Sequence, residues 1–342
     1  MPSEPPPSTR PAERSRGSGR RAADWINLTA VVIALGVSTT VALRGAGGAS
    51  AFALRPGQSL PPLDQPLPLP DGGRALSDAT GALVPLGPYR RVASGSWLAD
   101  PIALALCAPE EVVAFSARAP DARDAYRYAG KPSIDAHRVE ALLGVRPDLV
   151  LVNSLGDHAF VQKLRDAGLR VFDLGPMHGV QTFLSNVRAV GWLVGREQEA
   201  RTLADQFLWR LQAIARHVPA AARRAGLYLG VHGNRLYGGT RGSSYHDVLT
   251  YAGLTDVAAR EFEGWPSYDP EQLLAFDPEL ILAQTGTRAL LCQRSEFVRL
   301  RACGEQGRVI ELDAQLLNDA GFGMLEASER VHRAAYPEPS PP

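Results

Sequence analysis

A chain of 342 residues that is 45% apolar and 21% charged can build one large domain or two ordinary ones, and is too apolar for wholesale disorder. The formal net charge is zero and no basic run interleaves with aromatics beyond the N-terminus, which argues against a nucleic-acid partner. Cys107, Cys292 and Cys303 form no CxxC pair and show no zinc-ligand spacing.

Residues 1–23 are rich in Pro, Ser, Gly and Arg and read as a cytoplasmic basic tail. "WINLTAVVIALGVSTTVAL", Trp25–Leu43, follows without a charge. At about 1.5 Å per residue it nearly spans a hydrocarbon core of about 30 Å. Arg10, Arg14, Arg16, Arg20 and Arg21 precede it, so the remainder of the chain is expected to be exported. Residues 24–43 thus read as a transmembrane anchor or a signal segment. "GASAFA" supplies small residues for a peptidase, but the apolar stretch is long for a signal, and a retained anchor is the favoured reading. No cysteine follows, which excludes a lipoprotein anchor. Residues 44–73, with "RPGQSLPPLDQPLPLP", read as an extended Pro-rich linker.

From Arg74 the pattern becomes that of an α/β protein. "RALSDATGALVPL" predicts a hairpin turning at Ala79-Thr80-Gly81. "RRVASGS" predicts a strand, "ADPIALALCA" a helix with Pro101 in its first turn, and "EVVAFSA" a further strand. A loop follows that carries Tyr126 and Tyr128. Helix Ile134–Leu143, strand Leu149–Asn153, helix "HAFVQKLRDAG" and strand "RVFDLG" complete an N-terminal lobe over 74–179. Residues 180–218 are a helical connector broken near "VGRE", its second part running about twenty residues as a strut. Leu203, Phe207, Leu211 and Ile214 form its core stripe.

A C-terminal lobe over 219–336 repeats the alternation. "RAGLYLGVHG" predicts a strand, and the glycine-rich "LYGGTRGSSYHDVLTYAG" enters a helix. Helix Pro270–Ala275 and strand Glu279–Ala283 come next. "QRSEFVRLRACGEQGRVIEL" predicts a helix and the last strand, with a helix in "GFGMLEASERVHRAAY" closing the chain. Strands alternating with short helices predict parallel sheets. "VEALLGVRPDLVLV" from Val139 and "PEQLLAFDPELILA" from Pro270 match without a gap at an offset of 131 residues, identical at six of fourteen positions. Each lobe therefore uses the same helix-turn-strand unit, with Pro147 or Pro278 ending its helix.

The hairpin, "RRVASGS", the doubled phrase and "Y-G-G-T…S…D-V-L-T-Y-A-G", in that order, resemble the class III periplasmic substrate-binding proteins of ABC importers, which bind cobalamin, haem and ferric siderophores. The resemblance covers residues 74–335. It implies an α/β fold of two parallel-sheet lobes joined by one long rigid helix, with ligand in a cleft between them. It implies an ABC permease and its ATPase as partners, an iron chelate (siderophore or haem) or cobalamin as ligand, a periplasmic or extracytoplasmic monomer, and no cofactor or catalytic residue. In the family's cobalamin binder a glutamate at this point of each phrase pairs with permease arginines; Glu140 and Glu271 match those positions. Tyr237 and Trp265-Pro266 match an aromatic and a Trp-Pro pair of that protein, while Ile134 stands where it carries a first-lobe tryptophan.

The residues themselves leave other chemistry open. Ser243, Ser244, His246 and Asp247 lie together in "GSSYHD", but the stretch lacks a G-x-S-x-G elbow and reads more simply as a loop before a helix. His137, His158, His178, His232 and His246 are scattered, without metal-ligand spacing, although direct ligation of haem iron by a tyrosine or histidine stays open. Trp97, Tyr126, Tyr128, Tyr237, Tyr245, Trp265 and Tyr268 fall in loops at the carboxyl ends of predicted strands, where open α/β sheets bind ligands. Aromatic walls suit a flat, partly apolar chelate. The alternatives are an extracytoplasmic sensor, a cleft enzyme, or a metal or oxoanion binder. An exported lobe permits a disulfide between Cys292 and Cys303, provided that the intervening "SEFVRL" does not hold them apart. Cys107 is expected to be a small buried hydrophobe.

Overall fold

The computed structural model describes residues 62–117, 125–155, 157–305 and 307–337. The expected tail, the apolar segment Trp25–Leu43 and most of the linker lie outside them. Among the described residues no helix is long and apolar enough to cross a membrane.

The linker ends earlier than its prolines suggest. Ser185 and Arg188 both donate to the Asp64 carboxylate, at 2.9 and 2.6 Å, and β1 (Leu67–Pro68) pairs with β2 (Arg74–Ser77). β3 (Leu83–Pro85) completes this antiparallel sheet. Its hairpin turns where expected, around the wholly buried Asp78, whose carboxylate accepts from Thr80 N, Thr80 Oγ1 and Ala82 N at 2.9, 2.7 and 3.1 Å. Asp78 also pairs with Arg165, so the hairpin is pinned to the main lobe.

β4 (Val92–Ser94), α1 (Ala99–Leu106), β5 (Val112–Ser116), β6 (Ser133–Ile134), α2 (Val139–Gly144), β7 (Leu149–Val152), α3 (His158–Asp166) and β8 (Val171–Asp173) form the first lobe. Its sheet is parallel, in the order β6-β5-β4-β7-β8. The helix expected from Ile134 starts only at Val139. Ile134 pairs with Ser116 as an edge strand and is buried there, so sheet pairing overrides helical pattern.

The connector is two helices, α4 (Val180–Val194) and α5 (Glu197–Arg216), broken at "VGRE" as the sequence predicts, and not the one long helix that the resemblance implies. Gly195, at φ 68°, ends the first in the left-handed conformation that favours glycine. The two then pack so closely that a Cβ on Gly191 would lie 2.2 Å from that of Ala200. Phe207 and Leu211 of the expected stripe are buried, and Leu203 and Ile214 are partly buried against the same core.

The second lobe comprises β9 (Ala225–Tyr228), β10 (Gly230–His232), β11 (Arg235–Tyr237), α6 (Ser244–Tyr251), β12 (Thr255–Asp256), β13 (Ser267–Tyr268), α7 (Pro270–Phe276), β14 (Leu280–Gln284), α8 (Thr287–Cys292), β15 (Arg308–Leu312), α9 (Ala314–Leu317) and α10 (Gly323–Ala335). Its parallel sheet runs β12-β9-β14-β15, and β10-β11-β13 form a small antiparallel sheet. "RAGLYLGVHG", read as one strand, is thus two strands of different sheets that part at the buried Leu229.

The doubled phrase is geometrically doubled. Arg146 before Pro147 and Asp277 before Pro278 both have positive φ, 49° and 35°, consistent with proline disfavouring the right-handed helical conformation in the residue before it. Asp148 accepts from Arg90 N and Arg91 N at 2.8 and 2.9 Å. Glu279, its counterpart, accepts from Arg224 Nε and Ala225 N at 3.1 and 3.4 Å. Each acidic residue thus ties the start of one strand to the residues leading into its neighbour.

Cys292 and Cys303 are joined, with Cα atoms 5.5 Å apart. The segment between them is not the expected helix but successive turns, in which Arg294, Phe297, Leu300 and Cys303 each donate to the carbonyl three residues back. Burial of Phe297 folds the chain back and brings the sulfurs together. A thiol assay on unreduced, denatured protein is expected to find one free cysteine, Cys107. Reduction should lower stability by about 2–3 kcal/mol in urea titrations, as loop-closure entropy returns to the unfolded chain.

One core cluster runs from Leu76, Ile102 and Leu151 through Phe183, Val187 and Phe207 to Leu282, Leu312 and Met324, so both lobes pack on the same connector. Phe183, Phe207 and Phe322 meet edge-on, with centroids 4.8 to 5.8 Å apart. At the start of α4 the cap comes from the other lobe. Val180 N donates to the Asp247 carboxylate of α6 at 2.6 Å, and a Cβ on Gly179 (φ 113°) would lie 2.2 Å from that same oxygen.

Burial raises the carboxyl pKa of Asp247 above its ordinary value, partly offset by the Val180 N–H and His246. The folded state therefore takes up a proton between the unfolded and folded pKa values, and this group's contribution falls as pH rises through that window. In urea titrations from about pH 4 to about pH 7, Asp247→Asn should gain on wild type as pH rises, because its amide oxygen still accepts from Val180 N. Parallel stability curves would contradict this assignment.

Candidate functional site

In the first lobe Trp97, Tyr126 and Tyr128 follow parallel strands, as expected, whereas in the second Tyr237 lies in β11, Tyr245 in α6 and Trp265 just before β13. In the second lobe Tyr228 and Tyr245 stack with centroids 3.5 Å apart and planes 3° from parallel, and Trp265 meets Tyr245 edge-on at 5.3 Å. The Tyr245 hydroxyl donates to Asn318 Oδ1 at 2.6 Å. Tyr245 is 4% exposed, whereas the Trp265 indole is 62% exposed. Tyr245 therefore backs Trp265 instead of forming a surface of its own. Burial raises the pKa of both tyrosines, so neither ionises at neutral pH.

The glycines of "YGGT" exist for this packing. A Cβ on Gly239 would lie 2.5 Å from the Tyr245 ring, and one on Gly238 would lie 2.2 Å from the Tyr268 hydroxyl. Gly238 N donates to Pro266 O at 2.7 Å, and Tyr237 pairs with Ser267 across β11 and β13. Half-buried Tyr237 of β11 and exposed Trp265, in the bend that leads into β13, thus lie at one small sheet. Tyr268, by contrast, is buried among Phe262 and Phe276.

In the first lobe, half-buried Trp97 follows β4 across Gly95 and Ser96, where a Cβ on Gly95 would press on Ala136, Val152 and the Leu151 carbonyl. Tyr128 packs on Phe115 at 4.4 Å, and its neighbour Tyr126 is 76% exposed. The lobes meet where the loop leaving β8 reaches α6: His178 Nδ1 lies 3.3 Å from Gly242 O, beside the Val180–Asp247 bond.

"GSSYHD" works as a structural joint. Ser243 caps α6 by accepting from His246 N at 3.4 Å. The His246 ring lies 2.8 Å from the buried Asp256, which also accepts from Thr240 Oγ1 at 2.6 Å. Among the described residues no group of three His, Cys, Asp or Glu side chains forms a metal site. Cys107 is half-buried rather than buried, and burial, reinforced by Glu111, pushes its thiol up to about 12. Glu140 and Glu271 are exposed in the first turns of α2 and α7, with no hydrogen bond or ion pair to a described residue. Sequence reasoning missed Tyr228 and Asn318, which complete the aromatic stack. Their roles depend on contacts across the fold, and nothing in their local sequence marks them.

Two lobes built on one repeated unit, locked by a shared core and each carrying candidate aromatic residues, define a two-lobed α/β binding protein. The family model for the periplasmic binding protein matches residues 92–316, and the chain belongs to that family. It is 25% identical over 220 residues to a cobalamin-binding protein of Halobacterium salinarum, covering 60% of this chain and 58% of that one. The chain thus spans little more than half the length of this curated relative. Among solved structures, a periplasmic solute-binding protein of Staphylococcus epidermidis matches with a TM-score of 0.65 at 19% identity, covering 73% of this chain and 100% of its own. A periplasmic haem-binding protein of Pseudomonas aeruginosa matches with a TM-score of 0.60 at 24% identity, covering 74% and 95%. These likenesses establish the fold.

The stack separates support from surface. Tyr245→Ala should cost about 3–5 kcal/mol in chemical denaturation, as expected for a buried aromatic, while Trp265→Ala should cost under about 1 kcal/mol. Equal losses would mean that Trp265 is a packing residue.

Proposed function

We propose that the protein is the substrate-binding component of an ABC importer, capturing an iron chelate (siderophore or haem) or cobalamin and delivering it to a membrane permease and its ATPase. The observation that carries the reading is Trp265, a large exposed indole held in place by a buried tyrosine stack. Such a ring offers a flat apolar face to a ligand, and a rigidly backed ring loses little entropy on binding. Relatives described as cobalamin-binding and haem-binding, on the same two-lobed fold, support a macrocyclic or similarly large chelate. Trp97, Tyr126 and Tyr128 from one lobe and Tyr237 and Trp265 from the other supply the walls, with Tyr245 as backing.

In this reading the protein acts as an extracytoplasmic monomer, tethered through Trp25–Leu43. Glu140 and Glu271 dock it on permease arginines, since a carboxylate meeting a guanidinium in two places sets orientation as well as attraction. No chemical step is assigned to it. Its binding residues are aromatic, and Ser243, His246 and Asp247 are occupied in holding helix starts and the buried Asp256.

The test is a titration of the purified protein with cobalamin, haemin and a ferric siderophore, read by tryptophan fluorescence. One of the three is expected to bind well below millimolar concentration. Trp265→Ala and Tyr237→Ala should each weaken it at least about tenfold, through faster dissociation, since a tenfold change is about 1.4 kcal/mol. If no chelate binds wild type below millimolar, the large-chelate reading fails and an oxoanion ligand or a sensor role takes its place.

A further inference from the structure

The repeated phrase contains more identity than folding needs. Of its six identical pairs, Leu142/Leu273, Leu149/Leu280 and Leu151/Leu282 are buried to 1% exposure or less. Pro147/Pro278 follows the left-handed residue that turns the chain into its strand. Core packing and turn geometry account for these four. Two pairs are left, Glu140/Glu271 and Leu143/Leu274, and both are on the surface. The leucines are 43% and 40% exposed. In each lobe the glutamate and the leucine lie three residues apart, on one face of a short helix.

The exposed and half-buried positions around them are not repeated. Arg138 stands opposite Asp269, Ala141 opposite Gln272, and Gly144 opposite Ala275. Helix stability does not require the pair either. A first-turn glutamate is favoured by the helix dipole, but a leucine that its own lobe covers only in part, at the matching site of each lobe, leaves apolar surface in water that a smaller or polar residue would not. What the two lobes share on their surfaces is a Glu-x-x-Leu patch, presented twice.

We infer that Leu143 and Leu274 are the apolar anchors of the docking surface, resting on the importer reading above. The partner is a membrane protein made of two equal copies, each offering a guanidinium beside an apolar hollow. The glutamates and leucines divide the work by their physics. A carboxylate at an exposed rim acts over distance and governs the association rate and its salt dependence. A leucine acts only on contact and governs the dissociation rate. Because the shared core holds the lobes on one connector, both patches reach the partner at a fixed separation, so each reinforces the other by effective concentration.

The experiment uses the full-length chain in detergent and its permease–ATPase complex in lipid nanodiscs, with association and dissociation measured at several salt concentrations. Leu143→Ser and Leu274→Ser should each raise the dissociation rate about tenfold and by similar factors, leaving association and chelate affinity of the detached protein unchanged. Glu140→Gln and Glu271→Gln should slow association and flatten its salt dependence. Wild-type kinetics in both leucine variants, with the glutamate variants impaired, would overturn the anchors and leave the importer reading standing. An effect of one leucine alone would overturn the two-copy partner. Failure of the wild-type chain to bind the complex at all would overturn the importer reading, and the anchors with it.

Discussion

The connector helix Val180–Val194 is buried around most of its circumference, and the arrangement of both lobes depends on that fact. Val180, Phe183, Leu184, Val187, Ala189, Val190, Leu193 and Val194 all lose their contact with water, against elements of both lobes and the second connector helix. A helix apolar on nearly every side has no stable state except between two partners. Each lobe is therefore the other's cover. Rotating them apart would expose the connector, at about 25 cal/mol for each Å² uncovered, so large hinge opening is disfavoured. The cross-lobe cap of Val180 by Asp247 adds a polar requirement at the place where the chain passes between lobes.

Rigidity continues outward to the loops, through buried carboxylates. Asp100 accepts from Ser116 N and Oγ at 3.1 and 2.6 Å, and Asp173 from Ser154 N and Oγ at 3.0 and 2.5 Å. Asp256 does the same for Thr240, His246 and Ala258 N in the second lobe. A buried charge is tolerated only when hydrogen bonds replace its lost water, and here those bonds come from residues at strand ends and loop starts. In the second lobe the Asp256 bonds hold Thr240 of "YGGT" and His246 of α6 in place beside the aromatic stack. In the proposed reading, pre-ordered walls reduce the entropy lost on capture of a large ligand.

The aromatic stack follows the same logic at smaller scale. Trp265 is exposed, Tyr245 behind it is covered, and Tyr228 behind that belongs to the parallel sheet. The exposed indole is thus tied back to the core through three rings. Glycine at 238 and 239 is what permits the approach, since a methyl group at either position would overlap a tyrosine.

Local pattern and punctuation in the sequence determined the alternation of strands and helices, the hairpin at Ala79-Thr80-Gly81, the helix ends before Pro147 and Pro278, and the duplication of one unit. These are set by neighbours in the chain, so residues a few positions apart suffice to show them. The sequence also marked Tyr237, Trp265, Glu140 and Glu271 as candidates, by residue type and position in the repeat. It did not show that Ile134 is an edge strand, that the linker is pinned at Asp64, or that Tyr245 stands behind Trp265. Each of these is decided by a partner elsewhere in the chain: Ser116 for Ile134, Arg188 for Asp64, Tyr228 for Tyr245. The same holds for the Cys292–Cys303 bond, where burial of Phe297 decides whether the intervening segment extends as a helix or folds back in turns. Which face of a side chain meets water is a property of packing, and packing is not periodic in the sequence.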